Sequence, residues 1–108
     1  MSKTILQVNY GFTSSLSDHK ELVTPLAEPI SAVPGLVWKV WLMNEVDKEA
    51  GGIYLFESRD SAEGFMSSQA IADFAAQPSI TNINAKMFNP DESLSQITRG
   101  PLKIGETI

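Results

Sequence analysis

Leu36-Val37-Trp38-Lys39-Val40-Trp41-Leu42-Met43-Asn44-Glu45 is apolar on both of its alternating faces. Leu36, Trp38, Val40 and Leu42 fall on one side; Val37, Trp41 and Met43 accompany Lys39 on the other. Successive side chains of an extended chain point to opposite faces, so this run reads as a strand that must be covered on both sides. On its N-terminal side, Val33-Pro34-Gly35 is a turn of the kind that takes proline followed by glycine. On its C-terminal side, Glu45-Val46-Asp47-Lys48-Glu49 is a charged turn. Gly51 to Glu57 is then a further strand, with Ile53 and Leu55 set against Tyr54 and Phe56.

Upstream, Ile5 to Phe12 alternates with period two. Leu6, Val8, Tyr10 and Phe12 make an apolar face, and Gln7 and Asn9 a polar one. After Thr13-Ser14-Ser15, Ser17 is a suitable N-cap for a helix over residues 18–32. Its apolar positions Leu22, Val23, Leu26, Ala27 and Ile30 recur at helical spacing. Pro25 and Pro29 each remove an N–H and crowd the carbonyl four residues back, so that helix is expected to be short or kinked. Downstream, Asp60 and Glu63 resemble a capping box for a second helix carrying Phe65, Met66 and Phe74. Ser67-Ser68-Gln69 is a place where it would divide. Ile80 to Phe88 is the last strand, with Ile83, Ala85 and Met87 opposite Asn82, Asn84, Lys86 and Phe88.

The order β-α-β-β-α-β predicts a ferredoxin-like α+β domain, with both helices on one face of a four-stranded antiparallel sheet. The other face is expected to carry Trp41, Met43, Tyr54, Phe56 and Phe88. An aromatic patch of that size predicts a homodimer whose sheets face each other and enclose a cavity. Residues 1–108 make a single domain. Residues 89–108 are expected to form an extended tail packing on the partner subunit, through Leu94, Ile97, Leu102 and Ile104, with the last few residues frayed.

Thirteen acidic residues against eight basic ones give a net charge of −5, unsuited to a nucleic-acid backbone. The absence of cysteine excludes disulfides, Fe–S clusters and thiol nucleophiles. No apolar run reaches the ~20 residues of a membrane span. Met1-Ser2-Lys3-Thr4 leads straight into a strand with no signal-peptide core, so a soluble cytoplasmic protein is expected. His19 is the sole histidine and is expected to be exposed in the first turn of the first helix. With no carboxylate cluster at ligand spacing, no metal site is expected.

Three stretches carry a resemblance. They are Pro34-Gly35-Leu36-Val37-Trp38-Lys39-Val40-Trp41, Glu49-Ala50-Gly51-Gly52-Ile53-Tyr54-Leu55-Phe56 and Leu94-Ser95-Gln96-Ile97. The chain resembles the YdhR-type monooxygenases, a branch of the dimeric α/β-barrel superfamily, over about residues 4 to 97. The resemblance implies a cofactor-independent monooxygenase that oxidises a phenolic or polycyclic aromatic molecule with O2. The chemistry so implied is loss of a proton, electron transfer to O2 and collapse of a peroxide to a quinone or ketone. A non-catalytic small-ligand-binding or stress-response dimer is the alternative on the same fold.

The candidate pocket residues are Asn9, Lys39, Trp41, Tyr54, Phe56, Asn84 and Lys86. Lys39 interrupts an apolar strand, either to guard a sheet edge or to hold an anionic ligand. Lys86 has the same two readings. Trp41, Tyr54 and Phe56 would supply flat walls or a dimer core, and Asn9 and Asn84 either bond a phenolate oxygen or are plain sheet surface. No residue is assigned as general base. Gly51-Gly52, inside a strand, marks a bulge or a close backbone approach.

Overall fold

The computed structural model describes residues 2–102. Strand β1 (Thr4–Phe12) is followed by helices α1 (Leu16–Val23) and α2 (Ala27–Ser31), then by strands β2 (Leu36–Asn44) and β3 (Glu49–Phe56). Helices α3 (Arg59–Met66) and α4 (Gln69–Ala75) lead to strand β4 (Ile80–Phe88) and helix α5 (Glu92–Ile97). The four strands form one antiparallel sheet in the order β2-β3-β1-β4, the ferredoxin-like arrangement expected from the sequence.

Both helical segments break where the sequence interrupts them. Thr24–Leu26 is a single tight 3₁₀ turn with Pro25 near its start, and Pro29 falls in the first turn of α2. There a missing N–H removes no helical hydrogen bond. Ser67 ends α3, and the Ser68 hydroxyl caps α4 by accepting from the Ile71 N–H. The N-caps of α1 and α3 lie two residues earlier than expected: Ser15 accepts from Asp18 N–H, and Ser58 from Ser61 N–H. In each case a serine already in extended backbone supplies the acceptor.

The register decides which faces meet. Leu6 pairs with Tyr54, Val8 with Gly52 and Tyr10 with Ala50. Lys39 pairs with Tyr54, Trp41 with Gly52 and Met43 with Ala50. Residues directly opposite across an antiparallel pair share a face. Lys39, Trp41, Met43, Tyr54 and Phe56 therefore lie on the helix side of the sheet, with Leu6, Val8, Tyr10 and Phe12. This corrects the expectation that those aromatic residues occupy the open face. Alternation sorts β2 and β3 into two apolar sets each, but only the pairing with β1 says which set meets the helices. A bulge between Leu36 and Trp38 also returns Leu36 to the helix side, opposite Phe56.

The open face carries Ile5, Gln7, Asn9, Trp38, Val40, Leu42, Ile53, Leu55, Asn84, Lys86 and Phe88. Val40 is 52% and Phe88 46% exposed there. The tail is not wholly extended: α5 is a short helix capped by Asp91, whose carboxylate accepts from Leu94 N–H. Beyond it, Trp38 Nε1 donates to the Pro101 carbonyl at 2.8 Å and Leu102 is buried, so the chain turns back onto its own sheet. Ile104 and the end of the tail lie outside the described residues. Among those described, no helix is long and apolar enough to cross a membrane.

His19 is fully buried, not exposed. Its ring stacks on Phe12 with centroids 4.6 Å apart, and its Nε2 shares a 2.9 Å hydrogen bond with the Tyr10 hydroxyl. Ser15 as the cap starts α1 early enough to turn residue 19 toward β1. Nδ1 has no partner, and burial holds the imidazole below its ordinary pKa of 6.5. Below pH 6.5 the unfolded chain binds a proton that the folded chain refuses, so stability falls as the pH drops. The urea midpoint should decrease from pH 7.5 to 5.5. His19→Phe should flatten that decrease, at a cost of about 1 kcal/mol at pH 7.5 for the lost Tyr10 bond.

Candidate functional site

Between the sheet and its own helices lies a cavity of about 470 Å³. Its floor is built from Val8 and Tyr10 of β1, Gly52 and Tyr54 of β3, Lys39 and Trp41 of β2, and Ile83 of β4. The roof comes from the broken helical segments, with Leu26 and Ile30 on one side and Phe65, Ile71 and Phe74 on the other. This cavity thus lies between the sheet and helices of one chain and is partly open to solvent.

Lys39 crosses this floor. Its Nζ sits 3.2 Å from the centre of the Trp41 ring system and 4.5 Å from that of Tyr54. It can lie there because residue 52 has no side chain: a Cβ on Gly52 would come within 2.5 Å of Lys39 Cε. Its neighbour Gly51 is fixed for a different reason, since a Cβ there would collide with the Val8 carbonyl of β1. The glycine pair therefore marks close approach, by backbone at one position and by the lysine stem at the other.

Among the described residues no carboxylate, arginine or histidine lines the cavity. Among the described residues no carboxylate pairs with Lys39. Burial pulls the Lys39 ammonium down to about 7. The two ring faces favour the charged form and work against that shift. The other titratable groups on the cavity wall are Tyr10 and Tyr54. Burial pushes the Tyr10 hydroxyl up to about 12. Tyr54 is raised further, by burial first and by the proximity of Tyr10 second. Both remain neutral O–H groups near neutral pH.

Of the seven residues singled out in the sequence, Lys39, Trp41 and Tyr54 come together on the cavity wall. Phe56 is completely buried on the same sheet face, stacked near Tyr54 and Phe65, in the core rather than on the wall. Asn9 and Asn84 face each other across β1 and β4 on the opposite side of the sheet, and Gln7 Nε2 donates to Asn9 Oδ1 at 3.1 Å. Lys86 is exposed on that same side, opposite Gln7. None of these three reaches the cavity. Tyr10 was legible as core but not as cavity wall. The helical contributors were legible only as apolar periodicity. Among the described residues no group of three or more His, Cys, Asp or Glu side chains is placed to hold a metal.

With this geometry in view, the chain belongs to the family described as "Putative mono-oxygenase ydhR", whose model matches residues 5–101. No curated protein matches it. Solved structures share the fold at low identity. SnoaB, a cofactor-independent oxygenase from Streptomyces nogalater, superposes with a TM-score of 0.68 at 11% identity, covering 84% of this chain and 95% of that one. A monooxygenase from the gene ActVA-Orf6 of Streptomyces coelicolor, in complex with nanaomycin D, gives 0.65 at 17%, covering 83% and 88%. MupZ from Pseudomonas fluorescens gives 0.67 at 16%, covering 94% and 83%.

The Lys39 environment makes a measurable claim. Between about pH 7 and 10.5 the unfolded chain holds a proton at this residue that the folded chain does not. Wild-type stability should therefore rise with pH across that window. Lys39→Met should be more stable than wild type at pH 6, by roughly 2 kcal/mol, with the gap closing by pH 10. The Lys39 Nζ resonance should titrate near neutrality; titration in the ordinary lysine range would show that water reaches the amine freely.

Proposed function

We propose that this protein is a cofactor-independent monooxygenase that oxidises a planar phenolic or polycyclic aromatic molecule with O2 inside the cavity of each chain. The observation that carries the reading is the wall itself: one amine, Lys39, over the flat faces of Trp41 and Tyr54, in an otherwise apolar chamber with no acidic group. A planar ring would pack against the apolar roof of Phe65, Ile71 and Phe74. Its ionised oxygen would sit beside Lys39, because a charge buried there requires an opposite charge. The Tyr54 hydroxyl is a neutral donor to a further oxygen. Membership of the monooxygenase family and a fold shared with oxygenases support the same class.

The proposed reaction needs little else. The bound phenolate passes one electron to O2, and the two radicals combine at a ring carbon to give a peroxide. Loss of water from the peroxide leaves the quinone, so one hydroxyarene and one O2 become one quinone and one water. The protein contributes a dry chamber and electrostatic stabilisation of the substrate anion. Purified protein should consume O2 with some member of a panel of hydroxylated polycyclic aromatics, with no flavin, haem or metal added, and a chelator should leave the rate unchanged. Tight binding of panel members with no O2 uptake would instead identify a small-ligand-binding protein.

We also infer a homodimer formed through the open sheet face, with part of the tail on the partner. The support is the apolar set Ile5, Trp38, Val40, Ile53 and Phe88, together with the exposed Leu94 and Ile97 of α5. Sedimentation at micromolar concentration should give twice the 11.8 kDa chain mass, and Val40→Glu should shift it toward the monomer.

A further inference from the structure

We propose that Lys39 is the catalytic base of this cavity: its amine takes the acidic proton of a bound phenol or enol, and the ammonium so formed is held against Trp41 and Tyr54 beside the new anion. This rests on the reading that the cavity binds such a molecule, and it names the group that performs the first step. An amine that arrives charged can only anchor an anion made elsewhere. An amine that arrives neutral can make the anion in place.

The geometry favours the second role. The helices and the 3₁₀ turn contribute no ionisable side chain to the wall, β1 contributes Tyr10, β3 contributes Tyr54, and β2 contributes Lys39 alone. Among the described residues nothing acidic lines the cavity to keep Lys39 charged while it is empty, and burial favours its neutral form. Tyr10 and Tyr54 hold their own protons and cannot compete as bases. Once the proton moves, two things stabilise the ammonium that were idle before: the ligand anion, and the ring faces at 3.2 and 4.5 Å. One O–H bond breaks, one N–H bond forms, and no net charge enters the chamber. An electron-rich anion is left ready for O2.

The test is made without O2, so that it does not depend on turnover. 2-Naphthol, whose ionised form absorbs at longer wavelength, is bound at pH 8, below its own pKa. Proton release is read by calorimetry in buffers of different ionisation enthalpy. Wild type should show the naphtholate spectrum with no proton released, because the proton stays on Lys39. Lys39→Arg, which cannot lose its charge, should show the naphtholate spectrum with one proton released per ligand. Lys39→Met should bind the neutral naphthol at least tenfold more weakly, and should bind the methyl ether as wild type does. Conversion of the Lys39 Nζ signal from amine to ammonium on binding checks the same point with no variant. Release of a full proton by wild type would reduce Lys39 to an anchor and overturn the inference alone, as would binding of the neutral naphthol by wild type. No binding of naphthol or its ether at millimolar concentration would overturn the ligand reading as well. Naphtholate formation without later O2 uptake would uphold the base and sink the oxygenase.

Discussion

The Lys39 side chain and a side chain at residue 52 cannot occupy the same place. Gly52 resolves the conflict by having none, and the lysine stem lies over its position. The row Val8–Gly52–Trp41 runs across three strands on the helix side of the sheet. With a gap at its centre, the lysine stem folds over the sheet instead of rising into the helices. Its amine then meets the Trp41 and Tyr54 rings. A larger residue at 52 would lift the amine off both rings and into the volume that a ligand would use. Gly51 secures the same row from below, since only a residue without Cβ lets β1 and β3 approach closely enough to keep the register.

Two opposing effects act on the amine, and they differ in when they act. Desolvation is paid whenever the ammonium forms in a chamber without acids. The ring attraction is smaller, about 2 kcal/mol or somewhat more for a desolvated cation. In the empty cavity desolvation prevails, which is why Lys39 sits well below the ordinary lysine range. An anion on the ligand reverses the balance, because Coulomb attraction at contact distance is strong where water is scarce. With a pKa of about 7 the same side chain is available as a free amine before binding and would be held as the ammonium after it.

Much of the fold was legible because β1 obeys a clean alternation and because prolines and serines break the helices at definite places. Pro25 and Pro29 divide the first helical segment, and Ser67-Ser68 divides the second, as their chemistry demands. The candidate site was legible in part. Lys39, Trp41 and Tyr54 were singled out for the right reason, a cation and aromatic rings in an apolar setting. Their side of the sheet was not legible, because β2 and β3 are apolar on both faces and period two leaves the choice open. Only the partner strand settles it, and pairing register is a long-range property. Asn9, Asn84 and Lys86 do lie on the open face where alternation puts them; it is the move of Lys39, Trp41 and Tyr54 to the helix side that separates them from the cavity. His19 was misplaced because a polar residue in a first helical turn is ordinarily exposed. What reversed this was a hydroxyl on β1, Tyr10, able to satisfy one of its nitrogens. Helix α5 escaped notice because a six-residue helix with one acidic cap carries almost no periodic signal.

The two faces of the sheet divide the work of the molecule. Among the described residues, the floor, roof and one amine of the helix side all come from residues 8–83 of a single chain. The open side contributes nothing to that wall, yet it keeps apolar groups in contact with water. A hydrophobic face unrelated to the chamber is best explained by assembly, since exposed apolar area weakens solubility without serving the ligand. β1 and β3 nevertheless present one face to each compartment, with Tyr10 and Tyr54 inward and Ile5 and Ile53 outward. Any contact made on the outer face stiffens the strands that carry the inner one. Assembly would then act on the chamber through the rigidity of its floor, with no side chain of a second copy entering it.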